Sequence, residues 1–280
     1  MINTSHPNGH FYSPVVDTSE LAERISNLWP SGIPECPGVR FNDESIVRVL
    51  TDWFPRFMPD FNYPEQAIAS DESQFFIQNS QYSWLDCRAL FVILRQLQPK
   101  KIIEIGSGFS SLLTADVNRR FFANNMEFVC VEPYPRAFLS TGIAGITQLD
   151  VRKVQELEPT YFDRLAAGDI LFIDSSHVCK TGSDVNHLYL KVLPRLKPGV
   201  IVHIHDIFLP FEYLKEWVLE ENRSWNEQYL LQSMLQHSVR YEILFASYYA
   251  YARFPELVVN ALNTPKGHGY GGSSIWLIVK

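Results

Sequence analysis

Four polar side chains break or end two strongly apolar runs, and their types suit proton transfer or ion binding. In "DILFIDSSHVCK" Asp174 closes the run and His177 follows three residues later; in "VIVHIHDIFLP" His205 and Asp206 stand side by side where the run ends. Side chains at the end of a buried strand can point into a pocket mouth as the chain leaves the sheet. Two carboxylates and two imidazoles gathered there can hold an acceptor hydroxyl, directly or through a divalent ion, and an imidazole that is neutral near pH 7 can take its proton. His177 is the candidate base, and Asp174, His205 and Asp206 are the candidate orienting or metal-ligating group. His203, a full pleat earlier, reads as a core residue and carries no assigned role.

A second group lies in "KKIIEIGSGFSSLL", an apolar run followed by a glycine-rich turn and a helix start. This arrangement brings backbone N–H groups and a helix N-terminus near a ligand, with Gly106 and Gly108 allowing close approach. The dinucleotide fingerprint wants a third glycine, and Ser111 stands in its place, which disfavours NAD. The next run, "MEFVCVEP", ends in Glu132, where an acidic side chain can hold ribose hydroxyls. A ribose without a pyrophosphate is the better fit.

Both groups need a scaffold that gathers strand ends. From Asp86 the chain supplies one: "DCRALFVILRQLQP" places Leu90, Ile93, Leu94 and Leu97 on one helical face, and apolar runs then alternate with helix-like stretches. Continuous branched runs separated by amphipathic helices predict a parallel sheet covered on both faces, a doubly wound α/β fold. "YLKEWVLEEN" and "WNEQYLLQSMLQH" read as helices, "YEILFASYYAY" and "SSIWLIVK" as strands, and the aromatic run "FASYYAYARF" as packing. Residues 1–80, punctuated by prolines, read as an N-terminal cap or lid, and residues 81–280 as the domain proper. The stretch "TPKGHGYGGSS", with His268 and Tyr270, reads equally as a substrate loop or a connector.

Composition narrows the partners. The 280 residues carry a formal net charge of −7 with no run of Lys or Arg, so the electrostatic footprint of nucleic acid or anionic membrane is missing. Cys36, Cys87, Cys130 and Cys179 form no Cys-x-x-Cys pair, which suggests neither zinc nor a disulfide framework. A soluble cytoplasmic protein is expected, with no leader or bilayer-spanning segment.

The residues "EIGSG" are similar to the first motif of class I S-adenosylmethionine-dependent methyltransferases, and the resemblance extends over residues 86–280. It implies a Rossmann-like fold with a mostly parallel seven-stranded sheet whose last strand is antiparallel. It further implies that Glu104, Gly106 and Gly108 frame the methionine part of the cofactor, Glu132 its ribose, Asp150 and Val151 its adenine, with Asp174 also bordering it. Within that class the chain resembles the macrolide sugar O-methyltransferases and their cephamycin-pathway relatives. Asp174, His177 and Asp206 match the family's acidic and histidine positions, and His205 departs, standing where the pattern has Glu. With imidazole in place of one carboxylate, preference moves from magnesium towards manganese, iron or zinc, or to no metal. The resemblance implies methylation of a hydroxyl on a small molecule such as a sugar or natural product. An amine or carboxylate acceptor, or a non-catalytic cofactor-binding module, are the alternatives.

Overall fold

The computed structural model describes residues 4–69, 71–262 and 271–280. The branched apolar runs form strands β1 (Lys101–Ile105), β2 (Glu127–Val131), β3 (Gln148–Asp150), β4 (Ile170–Ile173) and β5 (Ile201–Ile204), followed by β6 (Tyr241–Ala246) and β7 (Ile275–Val279). They make one sheet in the order β3-β2-β1-β4-β5-β7-β6. β1 to β5 run parallel, and β7 lies antiparallel between β5 and β6. The expected doubly wound sheet and its reversed closing strand are both present. Every residue of β4 and β5 is buried, as strands covered on both faces require. The order reverses between β1 and β4, so a crevice opens at their carboxyl ends, the usual ligand position in open α/β sheets.

The helix Trp84–Leu97 is more deeply enclosed than its one-faced pattern predicts, with Leu85 through Leu94 all buried. It packs against the helix Phe109–Phe121 on one side and against Phe54–Phe57, Ser247–Arg253 and Pro255–Leu262 on others. Part of the proline-rich N-terminal segment therefore joins the core. Ile46, Val49, Leu50 and Phe54 are buried in it, and Phe61 meets Phe91 edge-on at 5.2 Å between ring centres. Another part passes over the strand tips. There the Asn79 side chain ties the turn by donating to the carbonyls of Phe76 and Tyr82 and accepting from the Tyr82 N–H, which sets Gln81 and Tyr82 beside the crevice.

The run expected as one strand over "YEILFASYYAY" stops at Ala246 and continues as the helix Ser247–Arg253. Its turn is pinned where the Ser247 N–H donates to the Ser274 carbonyl and the Ser247 hydroxyl pairs with that of Ser274 at 2.9 Å. Its aromatics do pack: Tyr249 stacks on Phe41 at 4.1 Å, and Tyr248 meets Phe208 and Phe211. His268 and Tyr270 lie outside the described residues. Among the described residues no helix is long and apolar enough to cross a membrane.

Candidate active site

The turn after β1 is held by chain neighbours and by the tips of the two adjacent strands. Glu104 is buried, with its carboxylate accepting from the hydroxyls of Ser110 and Ser111 and lying 3.5 Å from the Cys130 thiol. Burial pushes its pKa up to about 7, against the pull of those hydrogen bonds. Glu104 thus holds the turn from behind and does not line the crevice. Ser111, in the place of a third glycine, has a job there: its hydroxyl accepts from the Gly108 N–H at 3.0 Å while donating to Glu104. Gly106 has φ +78°, and a Cβ on it would stand 1.9 Å from the Asp174 carbonyl oxygen, so the approach of β1 to β4 permits only glycine. Across the turn Glu132 accepts from the N–H groups of Ser107 (3.0 Å) and Tyr134 (2.7 Å), which fixes its carboxylate at the rim.

A cleft runs along these tips. Its larger part, about 510 Å³, is lined by Gly106, Glu132, Tyr134, Asp174, Ser175 and Lys180 among others. A smaller part of about 260 Å³ shares Gly106, Glu132, Tyr134, Asp174 and Ser175 and reaches Gln81 and Tyr82. Asp150 and Val151 do not line it. Asp150 accepts from Gln148 and pairs with Arg152 at 3.2 Å, Val151 is 61% exposed, and Lys153, Val154 and Gln155 form that wall instead. The chain leaves the edge strand β3 at Asp150 in a turn closed by the Arg152 N–H, which donates to the Asp150 carbonyl at 3.0 Å.

Behind Asp174, which lines the cleft, the acidic and imidazole side chains converge, with His177 and His205 buried. His177 Nε2 lies 3.4 Å from Asp174 Oδ1 and 3.5 Å from Asp206 Oδ2. Its Nδ1 lies 2.9 Å from Glu227 Oε2. His177 and Asp206 both hold left-handed backbone, φ +60° and +55°, an unfavourable conformation for residues with side chains and one that clusters at functional sites. At Asp206 it breaks the alternation of the strand and turns the carboxylate towards His177. Asp206 Oδ1 accepts from the Ser273 hydroxyl at 2.8 Å.

His205 occupies a different place from the one expected of a metal ligand. The donor atoms of Asp174, His177 and Asp206 lie within 4.8 Å of one another, so the grouping that fits an ion contains His177 and leaves His205 out. His205 Nε2 instead faces the Gln81 carbonyl at 3.3 Å and lies 3.6 Å from Asp206 Oδ1, under the Tyr82 ring. His203 is a fully buried core residue, as its position predicts, stacked on Phe172 at 3.8 Å.

Charge organises this cluster. Burial pulls the His177 imidazole down, but hydrogen bonds to Asp174 and Glu227 and the charges of both together outweigh it, and its pKa stands well above the ordinary value. The cluster therefore favours the protonated ring over the neutral base that its residue type suggests. Burial raises Asp174, yet the His205 charge and the His177 hydrogen bond bring its carboxyl below the usual value. His205 is likewise pulled down by burial and lifted past that by Asp206, Asp174 and Asp86.

The sequence pattern did not single out Glu227, Ser273 or Trp225, whose ring centre lies 4.2 Å from that of His177. For Glu227 a signal existed. In the helix Glu227–Leu235 it shares the buried face with Leu231 and Leu235, and a carboxylate on an apolar stripe asks for a partner.

Residues 103–207 match the family model described as Methyltransferase domain. An uncharacterized protein of Archaeoglobus fulgidus is 31% identical over 162 residues, 57% of this chain and 73% of the relative. Two solved structures are similar in course. One is a Klebsiella pneumoniae protein provisionally described as an O-methyltransferase, at 16% identity and TM-score 0.38, covering 93% of this chain and 96% of the other. The second is a DUF574 family protein of Streptomyces avermitilis, at 11% identity and TM-score 0.42, covering 94% and 89%.

Proposed function

Given that the chain carries a methyltransferase domain and belongs to one family with the archaeal relative, we propose that it transfers the methyl group of S-adenosylmethionine to a hydroxyl of a small molecule. One observation carries this reading: Asp174 belongs both to the cleft at Gly106 and Glu132 and to the cluster with His177 and Asp206, so cofactor and acceptor sites share a wall. The cleft carries charge of both signs, with Lys153, Lys180 and Arg136 along its borders and carboxylates at the strand tips. Its rim presents the Glu132 and Asp174 carboxylates, and Gly106 leaves no bulk between the tips. Glu132 would hold the ribose and Gly106 and Asp174 the methionine part. When bound, the cofactor supplies an activated methyl group whose carbon–sulfur bond breaks with its electron pair going to sulfur.

The chain's own residues then have three tasks. Asp174 and Asp206 orient the acceptor hydroxyl, and the Tyr82 turn covers the cleft and excludes water. His177, in its neutral form, takes the hydroxyl proton at Nε2 as the oxygen forms its bond to carbon. Two carboxylates and one imidazole also fit a divalent ion better matched to manganese, iron or zinc than to magnesium, and such an ion would acidify the hydroxyl. Calorimetry with S-adenosylmethionine and with NAD, then single-turnover transfer of labelled methyl to a metabolite extract with and without chelator, tests the reading. Binding and transfer to an alkali-stable ether product support it. Tight NAD binding without S-adenosylmethionine binding overturns it, and binding without transfer leaves a cofactor-binding module.

A further inference from the structure

A buried carboxylate is costly unless something uses its charge, and Glu227 has no exposed surface at all. Its Oε2 lies 2.9 Å from both His177 Nδ1 and the Ser175 hydroxyl, and that hydroxyl in turn accepts the His177 N–H at 3.0 Å. The backbone is gripped from the same side. The N–H groups of Asn226 and Glu227 both donate to the His177 carbonyl, at 3.0 and 3.2 Å, and the Asn226 side chain accepts the Cys179 N–H. The start of the helix Glu227–Leu235 therefore clamps the loop after β4 by main chain and side chain together.

We propose that Glu227 is the positioning residue of His177: it holds the Nδ1 proton, and so makes Nε2 the nitrogen presented to Asp174, Asp206 and the acceptor. The inference rests on the methyl-transfer reading for what Nε2 does, and on geometry alone for how Nε2 is chosen. Towards a Glu227 carboxylate at 2.9 Å, Nδ1 is the nitrogen that carries a proton, in the neutral ring as in the charged one. A ring rotated by half a turn would put carbon against Glu227 and turn both nitrogens away from their present partners. The tilted Trp225 ring on the face of the imidazole leaves little freedom for intermediate settings. Glu227 never touches the acceptor, so its effect passes entirely through His177.

The test is proton and nitrogen magnetic resonance on the full chain with ring-labelled histidine. A strongly downfield ring proton, bonded to Nδ1 and lost in His177→Gln, is expected in the unmodified protein. It should shift upfield in Glu227→Gln, where a neutral carbonyl still accepts, and vanish by exchange in Glu227→Leu. Single-turnover methyl transfer should fall about 10- to 100-fold in Glu227→Leu, the effect typical of losing a histidine's outer partner, with S-adenosylmethionine affinity unchanged and Glu227→Asp recovering part of the loss. A downfield proton on Nε2 with none on Nδ1 in the unmodified protein, or an unaltered Nδ1 signal in Glu227→Leu, overturns the assignment. The first of these needs no variant to fold. Loss of the methyl-transfer reading would register separately, as no S-adenosylmethionine binding beside an intact Nδ1 signal.

Discussion

The glycine turn and the histidine cluster behind Asp174 are built on different principles. At the glycine turn, Glu104 takes its hydrogen bond from Ser111 seven residues away, and Glu132 takes one from Ser107 at a separation of 25. In the histidine cluster, His177 reaches Glu227 across 50 residues, Asp206 reaches Ser273 across 67, and His205 reaches Gln81 across 124. A site made of chain neighbours forms wherever its strand–turn–helix forms. A site made of distant segments exists only when the whole sheet and its coverings are in place, and it can therefore hold strained backbone and crowded charge that no local segment would sustain.

The sharpest way to break the comparison is at Gly106. Gly106→Ala puts a Cβ into the Asp174 carbonyl on left-handed backbone, and should remove S-adenosylmethionine binding by more than 100-fold, read by calorimetry. Near-normal affinity would mean that the cofactor does not sit against this turn. His177→Ala should leave cofactor affinity within a few-fold and cut single-turnover transfer by about 10² to 10⁴. A variant with full turnover would move the acceptor to an amine or carboxylate. Glu132→Ala should cost about 1.5 to 3 kcal/mol of cofactor binding through lost hydrogen bonds to a charged group, with unchanged affinity placing the ribose elsewhere.

The pH dependence separates the two next. Because Asp174 and Glu227 hold the His177 pKa above its ordinary value, the ring keeps its proton to higher pH than a free imidazole, and the base form grows as pH rises through the raised value. Transfer should thus rise with pH over a range displaced to the alkaline side of an ordinary imidazole, measured at saturating cofactor. A profile already flat at pH 6 would show that a neutral ring, or no ring, does the work. The smallest effect is expected at Val151. Exposed and outside the cleft, Val151→Ser should change cofactor affinity by less than about 0.5 kcal/mol, and a larger loss by calorimetry would restore it to the adenine wall.

The same contrast decides how much the sequence revealed. The alternation of branched runs with amphipathic helices was enough for the doubly wound sheet, since burial on both faces selects those residues strand by strand. Gly106, Glu132 and Asp174 could be read because each ends a run, and strand ends become the cleft in this topology. The enclosure of Trp84–Leu97 was not readable, because what covers its second face comes from residues 54–57 and 247–262, and periodicity reports one face at a time.

What the sequence determined by itself, then, is the sheet, the glycine turn and the list of charged residues at the strand tips, all consequences of local pattern. Only the tertiary structure decided which imidazole stands between Asp174 and Asp206, because His177 and Asp206 both take left-handed backbone whose φ no pattern reports. It alone put the buried Glu227 behind His177 and turned Asp150 and Val151 off the cleft. Side-chain charge is written in the sequence, but proton affinity depends on distance and burial, and three carboxylates around one ring are brought together only by the folded chain.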